Sequence, residues 1–523
     1  MYALLAGYTA EFDDFARGLL ALGWELLATS GTQRTLSRLG LAVTSVAELT
    51  GSPEMLGGRV RTLHPTVHGG ILYQRGLAAD EADVATHDLP AIDLVACNLY
   101  PFEQTVSGGS GADSSVALAE ALEQIDIGGV ALLRAAAKNH GAVIPLVDPA
   151  DYGPVLEALR GGGLGEAARR ELAAKTFALT ARYDTMVADY LRGDATALPQ
   201  QLTLAMTRRE ELRYGENPHQ RGAFYTLDAV HAAVEGVGAY EQHHGLGLSY
   251  VNILDAGAAF DLVSEFEQPA VAIIKHTNPA CFATGEEAIA VLYERALEAG
   301  DNLSAYGGIV ASNRPIDLAY ATALRDVRDP DGGQRMRYDI VIAPGATEEG
   351  LAHLKKKSKQ LRILTAPIGD PRLPRLDFRA VRGGVVVQDA DRSVETAFEV
   401  VSERRPSEPE LADLRVAWVV CKHVKSNAVA IVKDGALVGM GAGQPNRVGS
   451  ARLAVEAAGE AARGAVAATD AYIPFPDTIE VCAAAGVSCV MHTGGSIRDE
   501  DSIAAADRLG VSLLTTGVRH FRH

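Results

Sequence analysis

Cysteine is scarce in this sequence. Five residues, Cys97, Cys281, Cys421, Cys482 and Cys489, are spread over 523 positions, and no two of them form a CxxC pair. The odd count and wide spacing argue against a disulfide framework and a thiolate zinc site, and leave the thiols as small buried hydrophobes. Long apolar runs are missing too: none approaches the roughly 18 residues of a membrane span. No basic residue precedes the short apolar run at the N-terminus, so no secretory signal is read there. Positive charge is in deficit, with 48 Lys and Arg against 66 Asp and Glu and a net charge of −18. That excludes bulk nucleic-acid binding and a polybasic membrane contact, both of which need a positive field. An anionic small substrate remains open, because it needs only a local cluster of Arg, Lys and backbone N–H groups. Hydrophobic residues make up 47% and charged residues 22%, ordinary for a globular chain, so disorder, collagen and coiled coil are out. The expectation is a soluble cytoplasmic protein of about two to four domains.

Residues 1–195 alternate strand and helix. Residues 2–7, 24–28, 92–99 and 142–147 are apolar runs of strand length, and 12–22 carry apolar residues at helical spacing. Continuous apolar runs suit strands buried on both faces, which predicts a doubly wound parallel α/β domain with polar loops at its strand ends. Thr32 is expected to cap a helix running to about Leu39. The pattern weakens from Thr185 to Leu204, which places the domain boundary at 195/196. Residues 196–523 are too long for one typical core and predict two further α/β units, with strands at 270–275, 340–343, 428–432 and 488–491. Asp434-Gly435 between apolar runs signals a hairpin. Lys275-His276-Thr277-Asn278 after one strand is weakly echoed by Lys425-Ser426-Asn427 before another; on that alone a duplication stays open. Lys355–Lys357 reads as solvated surface.

Several segments concentrate groups that bind anions or move protons. Within residues 57–70, Arg59, Arg61 and Thr62 stand among glycines: a planar fork, a hydroxyl and a close backbone make a phosphate cradle, against the plainer reading of a surface loop. His64 and His68 lack a third zinc ligand, and an HxxxH pair coordinates well only on a helix. Asn98 and Tyr100 follow a strand stopped by Pro101, at the sheet edge where α/β ligands sit; a capped strand with a core Tyr fits equally. Asp126-Ile127-Gly128-Gly129 opens a helix N-terminus, and Lys138 about two turns on could share a proton with Asp126 or simply be solvated. Arg213 beside Tyr214 suits the phosphate or carboxylate of a planar ligand, or belongs to an interdomain loop. Lys275 and His276 leave a buried strand together. A neighbouring ammonium favours a neutral, basic imidazole and can stabilise an oxyanion, so they read as base plus electrophile. The glycines 439, 441 and 443 follow a hairpin strand, which fits a glycine-lined wall with Arg447 aimed at a ligand better than a dinucleotide fingerprint. Residues 470–477 set aromatics among carboxylates, useful against a flat heteroaromatic ring. The terminal residues 519–523 read, by position, as a solvated tail.

Taken together and in this order, these motifs resemble, over essentially the whole chain, the bifunctional purine-biosynthesis family that joins an AICAR formyltransferase to an IMP cyclohydrolase. The resemblance implies a methylglyoxal-synthase-like α/β domain (1–195) followed by a formyltransferase domain (196–523) of two cytidine-deaminase-like units, working as a homodimer. It implies formyl transfer from 10-formyltetrahydrofolate to AICAR, then dehydrative closure of the product FAICAR to IMP, with no catalytic metal. The deaminase HxE and PCxxC zinc motifs are lacking, so the likeness is one of shape. By matching motif, His276 would take the proton of the AICAR amine and Lys275 would stabilise the oxyanion. Arg213, Tyr214, Gly307, Asp339, Asn427 and Arg519 would hold AICAR. Arg447, Val448, Tyr472, Asp477, Gly494 and Gly495 would lie around the folate and the substrate ring. In the cyclohydrolase half, Lys138 would be the acid/base group, with Tyr100 and Asp126 polarising the reacting groups. Thr29, Ser30, Gly31, Thr32, Arg59, Arg61, Thr62, Asn98 and Ile127 would hold the nucleotide. Two departures stand out: Thr9 occupies the place of a phosphate-binding Lys, and Arg61 that of another Lys, with different geometry. They motivate an alternative, a formyltransferase whose N-terminal domain is impaired in ring closure. A non-catalytic folate or nucleotide sensor is disfavoured by the intact Lys275-His276 pair.

Overall fold

Five short strands, β1 (Tyr2–Ala6), β2 (Glu25–Ala28), β3 (Thr44–Ser45), β4 (Ile92–Cys97) and β5 (Ile144–Leu146), pair in parallel in the order β3-β2-β1-β4-β5. All but the edge strand β3 read largely apolar without alternation because helices bury both faces. Helices Phe12–Ala21 and Tyr152–Arg160 cover one side, with Phe15 stacked on Tyr152 at 4.5 Å, and Pro65–Leu72 and Gly128–Lys138 cover the other. This is the doubly wound sheet expected, and its order reverses between β1 and β4, which makes the ends of those strands the switch point. The computed structural model describes all residues except 8–11, 101, 103–105, 107–117, 195–196, 229–234, 329–332, 334, 371–374 and 394–396. Thr9, Pro101 and the expected junction at 195/196 lie outside the described residues. The chain divides into one unit of Met1–Thr207 with Leu227–Ala232 and a second of Arg208–Thr226 with Ala233–His523.

Two local expectations for the first unit change. The helix after β2 begins at Ser30 with Thr29 at its cap, so Thr32 lies inside it; the Thr32 hydroxyl instead binds the Gly7 carbonyl and ties the helix to the end of β1. The weak pattern after Thr185 conceals a helix, Glu166–Arg192, that buries Tyr183, Thr185 and Met186 and ends only at Gly193 in the left-handed region (φ 71°).

Next in sequence, β6 (Met206–Leu212) and β7 (Gly222–Leu227) form a two-stranded ribbon. The second unit is one twelve-stranded sheet. Its first half holds β8 (Glu241–His244), β9 (Ala270–Lys275), β10 (Asn278–Thr284), β11 (Ile309–Ser312), β12 (Ile340–Ala343) and β13 (Arg362–Thr365). After a ribbon of β14 (Leu376–Val381) and β15 (Gly384–Asp389), the second half holds β16 (Glu399–Val400), β17 (Val429–Lys433), β18 (Ala436–Gly441), β19 (Val466–Thr469), β20 (Cys489–His492) and β21 (Ser512–Thr515). The order is β16-β21-β20-β19-β17-β18-β10-β9-β11-β12-β13-β8, the same succession read outward in both directions from the β10–β18 seam. One face carries the helices Tyr250–Ser264 and Glu408–Lys422, each 15 residues long. The other face is covered half by half by the remaining helices. The two expected units are thus halves of a single sheet.

The duplication is real, but its register is not the one the Lys-rich echo pointed to. Ala270-Val271-Ala272-Ile273-Ile274-Lys275 corresponds to Ala428-Val429-Ala430-Ile431-Val432-Lys433. Asp434-Gly435 closes the expected hairpin with φ of 52° and 71°, and its counterpart His276-Thr277 closes β9–β10 with 54° and 62°. Lys425–Asn427 is no repeat of the Lys-His turn but its neighbour: the Lys425 N–H donates to Asn278 Oδ1 at 3.1 Å.

All five cysteines are free and buried. Two surface expectations hold only in part. In the terminal segment Arg519, Phe521 and His523 are exposed, but His520 is 1% exposed, bonds Asp391 at 2.6 Å and sits edge-on to Trp418. Lys355 and Lys356 are exposed, but Lys357 turns in against the Leu324 carbonyl and the Tyr338 ring, and burial pushes its ammonium down to about 8.

Candidate functional site

In the first unit, the predicted residues gather at the carboxyl ends of β1, β2 and β4. Thr29, Ser30, Gly31 and Thr32 carry the chain from β2 into its helix, and Asn98 follows β4 with its Oδ1 accepting from the Tyr152 hydroxyl at 3.1 Å. Thr62 is buried against the start of the Gly128–Lys138 helix, where a Cβ on Gly128 would come within 2.7 Å of its hydroxyl. Asp126 caps that helix, accepting from the Gly129 N–H at 2.7 Å and from the Tyr100 N–H. Burial raises the Asp126 carboxyl above its ordinary range, and the two N–H bonds only partly oppose it. The result is a carboxyl that holds a proton more readily than usual beside Tyr100, at a helix terminus suited to an anion. Ile127, 60% exposed, lies at the same terminus.

Both cradle arginines are partnered by acids. Arg59 pairs with Glu123 at 2.6 Å, and Arg61 pairs with Glu54, which also accepts from the Ser30 hydroxyl at 3.0 Å. Lys138 ends its helix, which has 11 residues, exposed to solvent. At about 1.5 Å rise per residue, Lys138 leaves the helix about 15 Å from the Asp126 end, so the two do not share one proton as the spacing had allowed. Both line a groove of about 910 Å³ along this helix, one toward each end. The histidines do not form a zinc pair: His64 lies ahead of the helix and uses Nδ1 to cap it, accepting from the Thr66 N–H at 3.2 Å. Among the described residues, no group of three or more His, Cys, Asp and Glu could hold a metal.

In the second unit, β9 delivers Lys275 to the sheet edge, where its ammonium donates to the Tyr306 carbonyl at 2.8 Å. His276 is exposed at the tip of the turn. Gly307 takes a left-handed φ of 75° just before β11, and Asp339 immediately precedes β12 with its N–H on the Gly308 carbonyl. The Arg213 guanidinium lies 5.4 Å over the Tyr214 ring. Arg362, which opens β13 and is 5% exposed, joins these pieces: its Nε donates to the Gly247 carbonyl at 3.1 Å, and it faces Asp339, Arg213 and Tyr214. Burial lowers its affinity for a proton, with the neighbouring Arg213 in the same sense and Asp339 opposing. No motif marks Arg362 in the sequence; its only signal is a cation opening an apolar strand.

A second cavity, of about 260 Å³, brings together Asn427, Arg447, Val448, Tyr472 and Asp477, with Phe475 and Phe521. Arg447 is buried and held at 2.7 Å by both Asn427 Oδ1 and Asp470, the latter fully buried. Arg519 lies outside the cavity lining, with its guanidinium 4.4 Å over the Phe521 ring. Gly494 and Gly495 are not in this lining either. They form the left-handed turn after β20, where their N–H groups meet His492 Nδ1 and Asp499. His492 is deeply buried, and burial drives its imidazole down to about 4, so it is neutral at pH 7.

Residues 136–457 match the family described as AICARFT/IMPCHase bienzyme, and residues 11–131 match the MGS-like domain. The bifunctional purine biosynthesis protein PurH of Anoxybacillus flavithermus is 45% identical over 513 residues, covering 97% of each chain. PurH of Bacillus subtilis is 45% identical over 514 residues, covering 97% of this chain and 96% of that one. The crystal structure of ForH shares 41% identity with a TM-score of 0.32, covering 36% of this chain and 97% of that one. With the family match over residues 136–457 and full-length relatives at 45% identity, the chain belongs to the AICARFT/IMPCHase bienzyme family.

Proposed function

We infer that the chain catalyses formyl transfer to AICAR in its second unit and dehydrative closure of FAICAR to IMP in its first, the last two steps of IMP synthesis. The observation that carries this reading is the Lys275-His276 turn, held at the seam of the duplicated sheet beside the Arg213, Tyr214, Asp339 and Arg362 cluster. AICAR binds with its anionic part toward Arg213, its ring against Tyr214, and Gly307, Asp339, Asn427 and Arg519 around it. Its amine attacks the formyl carbon of 10-formyltetrahydrofolate while His276 takes the amine proton. Lys275 steadies the oxyanion until the folate nitrogen leaves. The folate lies against Arg447, Val448, Tyr472, Asp477, Gly494 and Gly495. In the first unit, Thr29, Ser30, Gly31, Thr32, Arg59, Arg61, Thr62, Asn98 and Ile127 hold the nucleotide. Asp126 and Tyr100 act on the amide and formyl groups as water is lost, and Lys138 acts from the far end of the same groove. The protein works in the cytoplasm as a homodimer without a catalytic metal.

Purified protein given AICAR and 10-formyltetrahydrofolate should produce IMP, and given FAICAR alone should form IMP well above the spontaneous rate. Closure at background would leave a formyltransferase only. Sedimentation should give twice the 55.1 kDa chain mass; a monomer at micromolar concentration would count against the dimer. Asp126→Asn and Lys138→Ala are each expected to slow ring closure about a hundredfold or more while formyl transfer is unchanged. If Lys138→Ala stays within about twofold, proton transfer rests with Asp126 alone.

A further inference from the structure

The two halves of the large sheet hold their central turns in the same way. Asp255 and Asp413 are each the sixth residue of a 15-residue helix. Asp255 Oδ1 accepts from the Thr277 N–H at 2.7 Å, 22 residues on; Asp413 Oδ1 accepts from the Gly435 N–H at 2.7 Å, also 22 residues on. Each carboxylate also takes the preceding N–H, of His276 in one half and Asp434 in the other. The lysines ahead of the turns match as well. Lys275 donates to the Tyr306 carbonyl and Lys433 to the Arg463 carbonyl, both at 2.8 Å.

What differs is the cost of the turn. Both central residues of each turn lie in the left-handed region. Asp-Gly adopts such a hairpin turn readily. His-Thr does not: both carry a Cβ, and Thr277 is β-branched at φ 62°. Without an outside anchor the first turn would relax, and the imidazole at its tip would swing with the backbone. The second turn needs no such anchor.

We propose that Asp255 is a positioning residue for formyl transfer, its carboxylate clamping the strained His276-Thr277 turn so that the imidazole meets the AICAR amine beside Lys275. Asp413 makes the same bonds to a turn that holds its shape unaided, which provides a control within the chain. The inference rests on the reading of His276 as the base.

The test compares Asp255→Asn, Asp413→Asn and the double variant Asp255→Asn with Thr277→Gly, in the full chain. Formyl transfer, ring closure and the KM for AICAR are measured for each. Asp255→Asn should lower the kcat of formyl transfer tenfold or more, with a smaller change in KM and unaltered ring closure. Asp413→Asn should stay within twofold. Glycine at 277 relieves the strain, so the double variant should recover most of the lost kcat. Should Asp255→Asn fail to fold, the double variant must still be folded and active. Parent-like kcat in Asp255→Asn, equal losses in the Asp255 and Asp413 variants, or no recovery on adding Thr277→Gly would each overturn the proposal. His276→Ala run alongside separates the two readings: full formyl transfer in that variant removes the base itself, and the role of Asp255 with it.

Discussion

Replacing His276 with alanine should reduce formyl transfer by about a hundredfold to ten-thousandfold, the range for losing a positioned general base. The folded state should hardly notice. The side chain is exposed at a turn tip, so no buried contact is lost, and the left-handed backbone at φ 54° already carries a Cβ, so alanine adds little to its cost. Ring closure, carried by residues of the other unit, should be unchanged. Lys275→Ala should cost about a hundredfold to a thousandfold through the lost oxyanion partner. Lys433→Ala, which removes the structural counterpart in the second half, should leave formyl transfer within about twofold. The contrast matters because Lys275 and Lys433 make equivalent bonds to backbone carbonyls. A purely architectural role for the lysine predicts equal effects at both positions; a chemical role, which requires the neighbouring imidazole, predicts an effect only at Lys275. Formyl transfer retained within about threefold in His276→Ala would remove the histidine from the mechanism.

The buried strands were legible because strands covered on both faces are written as unbroken apolar runs, whether they pair in parallel as β1, β4 and β12 do or antiparallel as β9 and β17 do. β1, β4, β9, β12 and β17 all lie where such runs place them. The Asp434-Gly435 hairpin was legible because only a few residue pairs accept its backbone. The register of the duplication was obscured by attention to polar residues. The repeat is carried by the strand hexapeptides beginning at Ala270 and Ala428, whereas the turn residues His276-Thr277 and Asp434-Gly435 differ between halves. Arg362 was missed for a different reason: it acquires meaning from a partner remote in sequence, Gly247, which does not announce the contact. Asp470 was read as a carboxylate facing a ligand ring, but it is buried and holds Arg447. One residue of the tail was misjudged likewise: His520 is buried and bonds Asp391, 129 residues away. Lys138 shows the limit of spacing as an argument, since the same helix that links it to Asp126 in sequence holds the two ends apart in space.

The two-fold relation between the halves also locates the second large effect. Glu265 and His423 occupy equivalent positions, 158 residues apart, and bond each other at 2.6 Å with Lys422 at 3.0 Å from the same carboxylate. All three side chains are at most 7% exposed. Arg522 lies 3.0 Å from His423 Nδ1; an arginine can only donate, so the proton of the neutral ring is assigned to Nε2, facing Glu265. Burial alone would raise the Glu265 carboxyl, but His423 and Lys422 beside it hold it down to about 2. Burial also lowers His423, with Glu265 opposing. Glu265→Gln leaves the Lys422 ammonium buried without its counter-charge, and breaking a buried pair in this way costs about 3–5 kcal/mol. Urea unfolding of the second unit should show that loss, and a loss below about 1 kcal/mol would mean the ammonium finds water or another acceptor. The pH dependence has a definite sign. A carboxyl held down in the folded state stabilises fully above its unfolded value near 4.5 and loses that contribution as pH falls toward 2. A buried imidazole held below 6.5 acts in the same direction, because the unfolded chain takes up its proton first. Stability of the second unit should therefore fall on acidification below about pH 6.5. In Glu265→Gln the part of that fall below about pH 4.5 should be smaller, since the carboxyl that would be protonated is gone.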